Sequence, residues 1–89
     1  MLRQEIVIIN KLGLHARAAA KFVKVASGFD SAIQLARGSR VVNGKSIMGV
    51  MMLAAGKGAG LELIAEGKDE VEAAAALVRL VEGRFGEAE

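Results

Sequence analysis

An 89-residue chain that is 53% hydrophobic and 25% charged is the size of one small domain with enough apolar surface for a core, which excludes a disordered chain. The absence of cysteine removes disulfides and thiolate metal sites, and a single histidine cannot build an imidazole cluster, so no metal and no cofactor is expected. The net charge of +2 hides a split, because residues 1–45 hold eight Lys or Arg against Glu5 and Asp30, while residues 46–89 hold four against eight acidic residues; a basic surface suited to an acidic protein or to nucleic acid is predicted.

The first element is a strand over residues 4–9, where Ile6, Val7, Ile8 and Ile9 are all β-branched. That run falls far short of a membrane span or a signal-peptide core, so the expectation is a soluble cytoplasmic protein without membrane insertion. After a loop at residues 10–14, residues 16–27 place Ala19, Phe22, Val23 and Ala26 at i, i+3, i+4 and i+7, with Arg17, Lys21 and Lys24 on another face. This spacing predicts an amphipathic helix that stops at Gly28. In "AIQLARGSRVVNG" the alternation of Ile33 and Leu35 with Gln34, a turn at Gly38-Ser39 and a return through Arg40 to Val42 predict a hairpin, and Asn43-Gly44 supplies the next turn. A short apolar helix follows over residues 47–53, then the glycine-rich loop "AAGKGAG" and a strand at "LELIAE". Asp69 with Glu72 three positions on resembles a capping box, and Val71, Ala74, Leu77, Val78 and Val81 form the stripe of a last helix ending near Gly83. The order βαββαβα predicts one α+β domain over residues 1–89, with helices on one face of a largely antiparallel sheet.

The only histidine, His15, stands directly before Ala16, at or beside the N-cap of the first helix. The first backbone N–H groups of a helix lack internal partners and the macrodipole places about half a positive charge there, so an anion is favoured. A phosphoryl group on the imidazole would let its oxygens accept from the N–H groups of Ala16, Arg17 and Ala18, while the Arg17 guanidinium adds directed donors. A charge-assisted bond contributes about 1.5 to 3 kcal/mol and the dipole about 0.3 to 1 kcal/mol, enough to hold a dianion without trapping it. Histidine suits the nucleophile because its neutral ring offers a free nitrogen near neutral pH. From position alone the plainer readings stay open, with His15 as a cap or loop residue and Arg17 as a solvated first-turn residue. No base or orienting residue stands beside His15 in sequence, so catalysis of its own is not expected.

Ser46 closes "NGKS" just before the apolar helical run, an N-cap position. These letters do not make a nucleotide-binding P-loop, because the required earlier glycine falls at Ser39 and Gly38 is one position too early; "GKGAG" lacks the Ser or Thr and reads as a tight loop. Ile47, Met48, Met51, Met52 and Leu53 are too many for one short helix to bury, so part of them is expected at the surface as an adaptable patch, with Met51 and Leu53 the better candidates for the core. With no Trp or Tyr and only Phe22, Phe29 and Phe85, the chain offers few stacking platforms for nucleic acid and no nucleic-acid motif.

"GLHARAAAKFV" together with "NGKSIMGVMMLAAGKG" resembles the HPr family, the histidine-containing phosphocarriers of the bacterial sugar phosphotransferase system, over essentially the whole chain. The resemblance implies an open-faced β-sandwich in which three helices cover one face of a four-stranded antiparallel sheet. It implies that His15 takes a phosphoryl group on Nδ1 from enzyme I, charged by phosphoenolpyruvate, and passes it to the IIA domains of sugar transporters, as a stoichiometric carrier rather than an enzyme. Arg17 is implied to bind the phosphoryl group. Ile47 and Met48 are implied to contact enzyme I and IIA, with Met51 kept among the docking residues and Arg17, Lys21 and Lys24 as a basic rim. Ser46 is implied, from many Gram-positive members, as the target of HPr kinase/phosphorylase, the modified protein serving a carbon-catabolite transcription regulator as corepressor. A monomer is the default. The alternatives are a regulatory paralogue of a nitrogen-related branch and, further off, a basic nucleic-acid-binding module. Ala18 departs from the family, which usually has proline there. Alanine fits a helix's first turn equally well and adds a backbone donor. An Ala18→Pro variant is expected to keep His15 phosphorylation and to change the lifetime of the phosphohistidine; equal lifetimes would rule out a part for the extra N–H.

Overall fold

In the computed structural model, which describes all 89 residues, strand β1, Leu2–Val7, runs antiparallel to β4, Gly60–Glu66, with Leu2 opposite Ala65 and Val7 opposite Gly60. The hairpin is present: β2, Ala32–Arg37, returns as β3, Arg40–Asn43, and β2 also pairs antiparallel with β4, so the sheet order is β1-β4-β2-β3. Helices α1, Ala16–Ser27, α2, Ile47–Met51, and α3, Glu70–Glu82, complete βαββαβα, and a short 3-10 turn, Arg84–Gly86, follows α3. No helix is long and apolar enough to cross a membrane.

Strand periodicity decides which sheet face is covered. Ile6, Ile33, Leu35, Leu61, Leu63 and Ala65 alternate onto one face and join Ala18, Ala19, Phe22, Ala26, Leu77 and Val81 of the helices in one buried cluster. The opposite face keeps Arg3, Glu5 and Val7 exposed, with Arg3 donating to Glu62 at 2.8 Å from the neighbouring strand. The sheet is therefore an open-faced, α+β sandwich, four antiparallel strands under three helices.

Several boundaries differ from those expected. The first strand spans Leu2–Val7 rather than residues 4–9, because β4 begins opposite Val7 at Gly60 and a strand extends only as far as its partner. Helix α2 ends at Met51 rather than at residue 53: Leu53 and Ala54 donate three residues back, to Val50 and Met51, and Ala54 has a φ of +50°. In α3 Ala74, Leu77 and Val81 are buried as expected, but in the first turn Val71 is exposed and Ala73 is buried. The capping box does not form. Glu70 accepts from the Gly67 amide at 3.1 Å, and the Asp69 side chain caps nothing in its own helix.

Asp69 serves instead as a tie between segments. Its carboxylate accepts from the amides of Asp30 and Ser31, each at 2.9 Å, and from the Ser31 hydroxyl. These bonds, the Ser31 hydroxyl foremost, hold its pKa below the ordinary 3.8. A depressed folded-state value means the stabilisation is present above the unfolded value and is lost as pH falls through the folded one. Asp69→Asn is therefore expected to lower the thermal midpoint at neutral pH and to converge on the parent in strong acid; a constant gap across the titration would contradict this role.

Candidate functional site

The loop before α1 is shaped by one glycine. Gly13 has a φ of +67°, and a Cβ there would lie 2.4 Å from the Ala55 carbonyl oxygen and 2.7 Å from Gly56 Cα. The next residue, Leu14, is buried and donates its amide to Ala55 at 2.8 Å, so the loop is clamped against the chain after α2. His15 follows as the N-cap of α1, in extended conformation, with no side-chain cap bond. Its carbonyl accepts the first helical bond, from the Ala19 amide at 2.8 Å. The amides of Ala16, Arg17 and Ala18 precede that rung and are the free donors of the helix end.

The imidazole has a partner from the far end of the chain. His15 Nε2 is 2.5 Å from Glu87 Oε2, and Glu87 Oε1 accepts from Asn10 Nδ2 at 3.0 Å. The bond from His15 first, then that from Asn10, holds the Glu87 carboxyl below its ordinary 4.5. At 29% exposure the His15 side chain remains open to a visiting protein. It lies in a concavity lined also by Lys11, Leu12, Ala16, Arg17, Glu87, Ala88 and Glu89. Because Glu87 engages Nε2, Nδ1 is the ring nitrogen left outside this contact, in a concavity that Ala16 and Arg17 also line; a helix N-terminus and a guanidinium in one concavity suit an anion on the ring.

Neither Asn10 nor Glu87 was legible as a site residue. They are 77 residues apart, and Glu87 is 72 residues from His15; the only trace is an acidic tail after a buried phenylalanine. His15 thus has in space the orienting residue it lacks in sequence. Lys21 is also placed differently from the basic rim expected of it. It is half-buried and donates to the Phe85 carbonyl at 2.6 Å, so it fastens the tail, whereas Arg17 and Lys24 are exposed.

Ser46 is the N-cap of α2, its hydroxyl accepting from the Gly49 amide at 3.1 Å. Loss of that bond in Ser46→Ala is expected to destabilise the fold by about 0.5 to 2 kcal/mol in chemical denaturation. Past Ser46, Val50 and Leu53 are buried while Ile47, Met48, Met51 and Met52 are exposed, Met48 at 75%. Met51 therefore belongs to the surface patch and not to the core, because the short helix turns only Val50 inward.

The description "PTS HPr component phosphorylation site" belongs to a family model that matches residues 2–83. The phosphocarrier protein HPr of Neisseria meningitidis serogroup A is 57% identical over 89 residues, all of both chains. The crystal structure of HPr-C-His from Thermoanaerobacter tengcongensis superposes with a TM-score of 0.96 at 50% identity, covering 100% of each chain. An HPr dimer from the same organism gives 0.79 at 52% identity over 98% of this chain and 100% of that one. A matched phosphorylation-site model, full-length relatives and a shared fold, on a chain whose one histidine is partly exposed at a helix N-terminus, together show that this chain belongs to the HPr family of phosphocarriers of the phosphotransferase system.

Proposed function

We propose that His15 accepts a phosphoryl group on Nδ1 from phosphorylated enzyme I, itself charged by phosphoenolpyruvate, and delivers it to IIA domains of sugar transporters. The observation that carries this reading is an accessible imidazole, its Nε2 engaged by Glu87, on the residue at the N-terminus of a helix with three free amides. Arg17 and those amides, of Ala16, Arg17 and Ala18, take the phosphoryl oxygens. The protein acts stoichiometrically, as a cytoplasmic monomer, and its partner supplies what else the transfer needs. Docking uses Ile47, Met48 and Met51 with Arg17 and Lys24, an apolar patch with a basic rim suited to brief contacts. Glu87 and Glu89 of the acidic tail, in the same concavity as Arg17, favour a protein partner over nucleic acid.

Ser46 is the regulatory site of this reading, phosphorylated by a kinase/phosphorylase and read by a catabolite-control transcription regulator. Phosphate on an N-cap is electrostatically tolerated, so the added charge of about −1.5 to −2 acts on partners and leaves the helix in place.

Incubation with phosphoenolpyruvate and enzyme I tests the carrier reading. One acid-labile phosphate per chain, transferable to a IIA domain, is expected. No labelling would overturn it, and labelling by a nitrogen-branch enzyme I alone would replace the sugar branch.

A further inference from the structure

We propose that Asn10 and Glu87 are positioning residues for phosphoryl transfer, acting through the His15 ring; the inference rests on the carrier reading above. The Asn10 amide is fully buried and commits both N–H donors, to the Gly13 carbonyl at 2.8 Å and to Glu87 Oε1 at 3.0 Å. Its own Oδ1 is left buried without a partner. Turning the amide over would set that oxygen against two acceptors and lose both bonds, so the orphaned Oδ1 is the consequence of holding Glu87.

The backbone that returns Glu87 to the site is strained as well. Arg84, Phe85 and Gly86 have φ values of +57°, +54° and +80° in succession, and two of them carry side chains. Such a run persists only where its surroundings over-determine it. Here Phe85 is 1% exposed in the core, Lys21 holds its carbonyl, and the Glu89 carbonyl accepts from the Lys11 amide at 2.5 Å. Burial cost at Asn10 and strain at Arg84 and Phe85 meet in one contact, the carboxylate of Glu87 on His15 Nε2.

That contact suits a ring that must gain and lose a positive charge. With Nε2–H donated to Glu87, Nδ1 carries the lone pair. In the forward step the Nδ1 lone pair forms the N–P bond, the donor protein's bond to phosphorus breaks, and that electron pair stays with the donor. The ring keeps its Nε2 proton and becomes an imidazolium, whose charge Glu87 balances. On delivery the Nδ1–P bond breaks, the pair returns to Nδ1, and the ring is neutral again. The carboxylate of a Ser-His-Asp triad does the same for its histidine, fixing the tautomer and stabilising the imidazolium. Asn10 acts one bond further out, fixing the carboxylate.

The full-length chain with enzyme I and phosphoenolpyruvate provides the test, in Glu87→Ala, Asn10→Ala and the double variant. Glu87→Ala is expected to slow phosphoryl acceptance by about tenfold or more, as the loss of a charge-assisted hydrogen bond does, and to raise the minor Nδ1–H tautomer seen by ring 15N NMR by a similar factor. Asn10→Ala is expected to move both readouts the same way by less, and the double variant to be no slower than Glu87→Ala, because Asn10 acts through the carboxylate. Glu87 lies outside the core cluster, so its variant stays informative even where Asn10→Ala fails to fold. An unchanged tautomer ratio and rate in Glu87→Ala would overturn the inference, and a double variant with additive losses would remove Asn10 from it. A parent protein that takes no label at all would instead strike the carrier reading itself.

Discussion

Substitution of His15 by alanine is expected to abolish phosphoryl acceptance from enzyme I while leaving the fold standing. The loss is total because no other side chain joins a neutral nucleophilic nitrogen to a helix end: the cradle of Ala16, Arg17 and Ala18 amides binds a phosphoryl group but cannot form a bond to it. The fold survives because the ring lies outside the core cluster and makes no side-chain cap bond to α1. What is removed is the contact with Glu87, a partly exposed pair whose contribution to stability is kept small by solvent screening. A shift in thermal midpoint of several degrees at most is therefore expected for a domain of this size. Labelling with phosphoenolpyruvate and enzyme I, beside a thermal melt of each protein, reads both quantities. Acid-labile phosphate on the His15→Ala protein would place the acceptor elsewhere in the chain.

The parts of this site that lie close together in sequence were legible, and the parts assembled by the fold were not. Apolar spacing in residues 16–27 gives α1 its actual bounds, because the stripe of Ala19, Phe22 and Ala26 is the buried one, and His15, read as at or beside the N-cap, is the N-cap itself. Ser46 follows the same logic ahead of α2. Glu87 and Asn10 escaped because nothing local marks a residue that matters through a neighbour 72 or 77 positions away. Charge summed by halves misled for the same reason. The acidic residues of the C-terminal half do not stay apart, since the tail lays Glu87 and Glu89 over the basic end of α1 and turns Lys21 to its own carbonyl. The capping box failed where a tertiary partner outbid a local one, the amides of residues 30 and 31 taking the Asp69 carboxylate away from α3. Strand ends were shifted because hydrophobicity marks what can be buried, while pairing with β4 decides where β1 starts.

Gly13→Ala is expected to be among the most damaging single-methyl changes in the chain, and Gly38→Ala shows why. Both glycines have a left-handed backbone, at +67° and +60°, so both substitutions pay the left-handed penalty of about 1 to 2 kcal/mol. A Cβ at Gly38 meets nothing within 4 Å, whereas at Gly13 it would overlap the Ala55 carbonyl oxygen at 2.4 Å. Backbone atoms cannot swing aside as a flexible side chain does, so relief requires parting the loop from the segment after α2 and weakening the 2.8 Å bond from Leu14 to Ala55. Overpacking of this kind adds about 1 to 3 kcal/mol, giving a total of about 2 to 5 kcal/mol for Gly13→Ala. For a domain of this size that corresponds to a midpoint lowered by roughly 10 to 30 °C, against under about 15 °C for Gly38→Ala. The functional consequence follows from position: the displaced residues are the two before His15, and the Gly13 carbonyl is one of the two acceptors that orient Asn10. Gly13→Ala is thus expected to slow phosphoryl acceptance even at temperatures where it remains folded, and Gly38→Ala to leave the rate unchanged. Equal melting points for the two variants would show that the close approach at Ala55 is not what this glycine is there for.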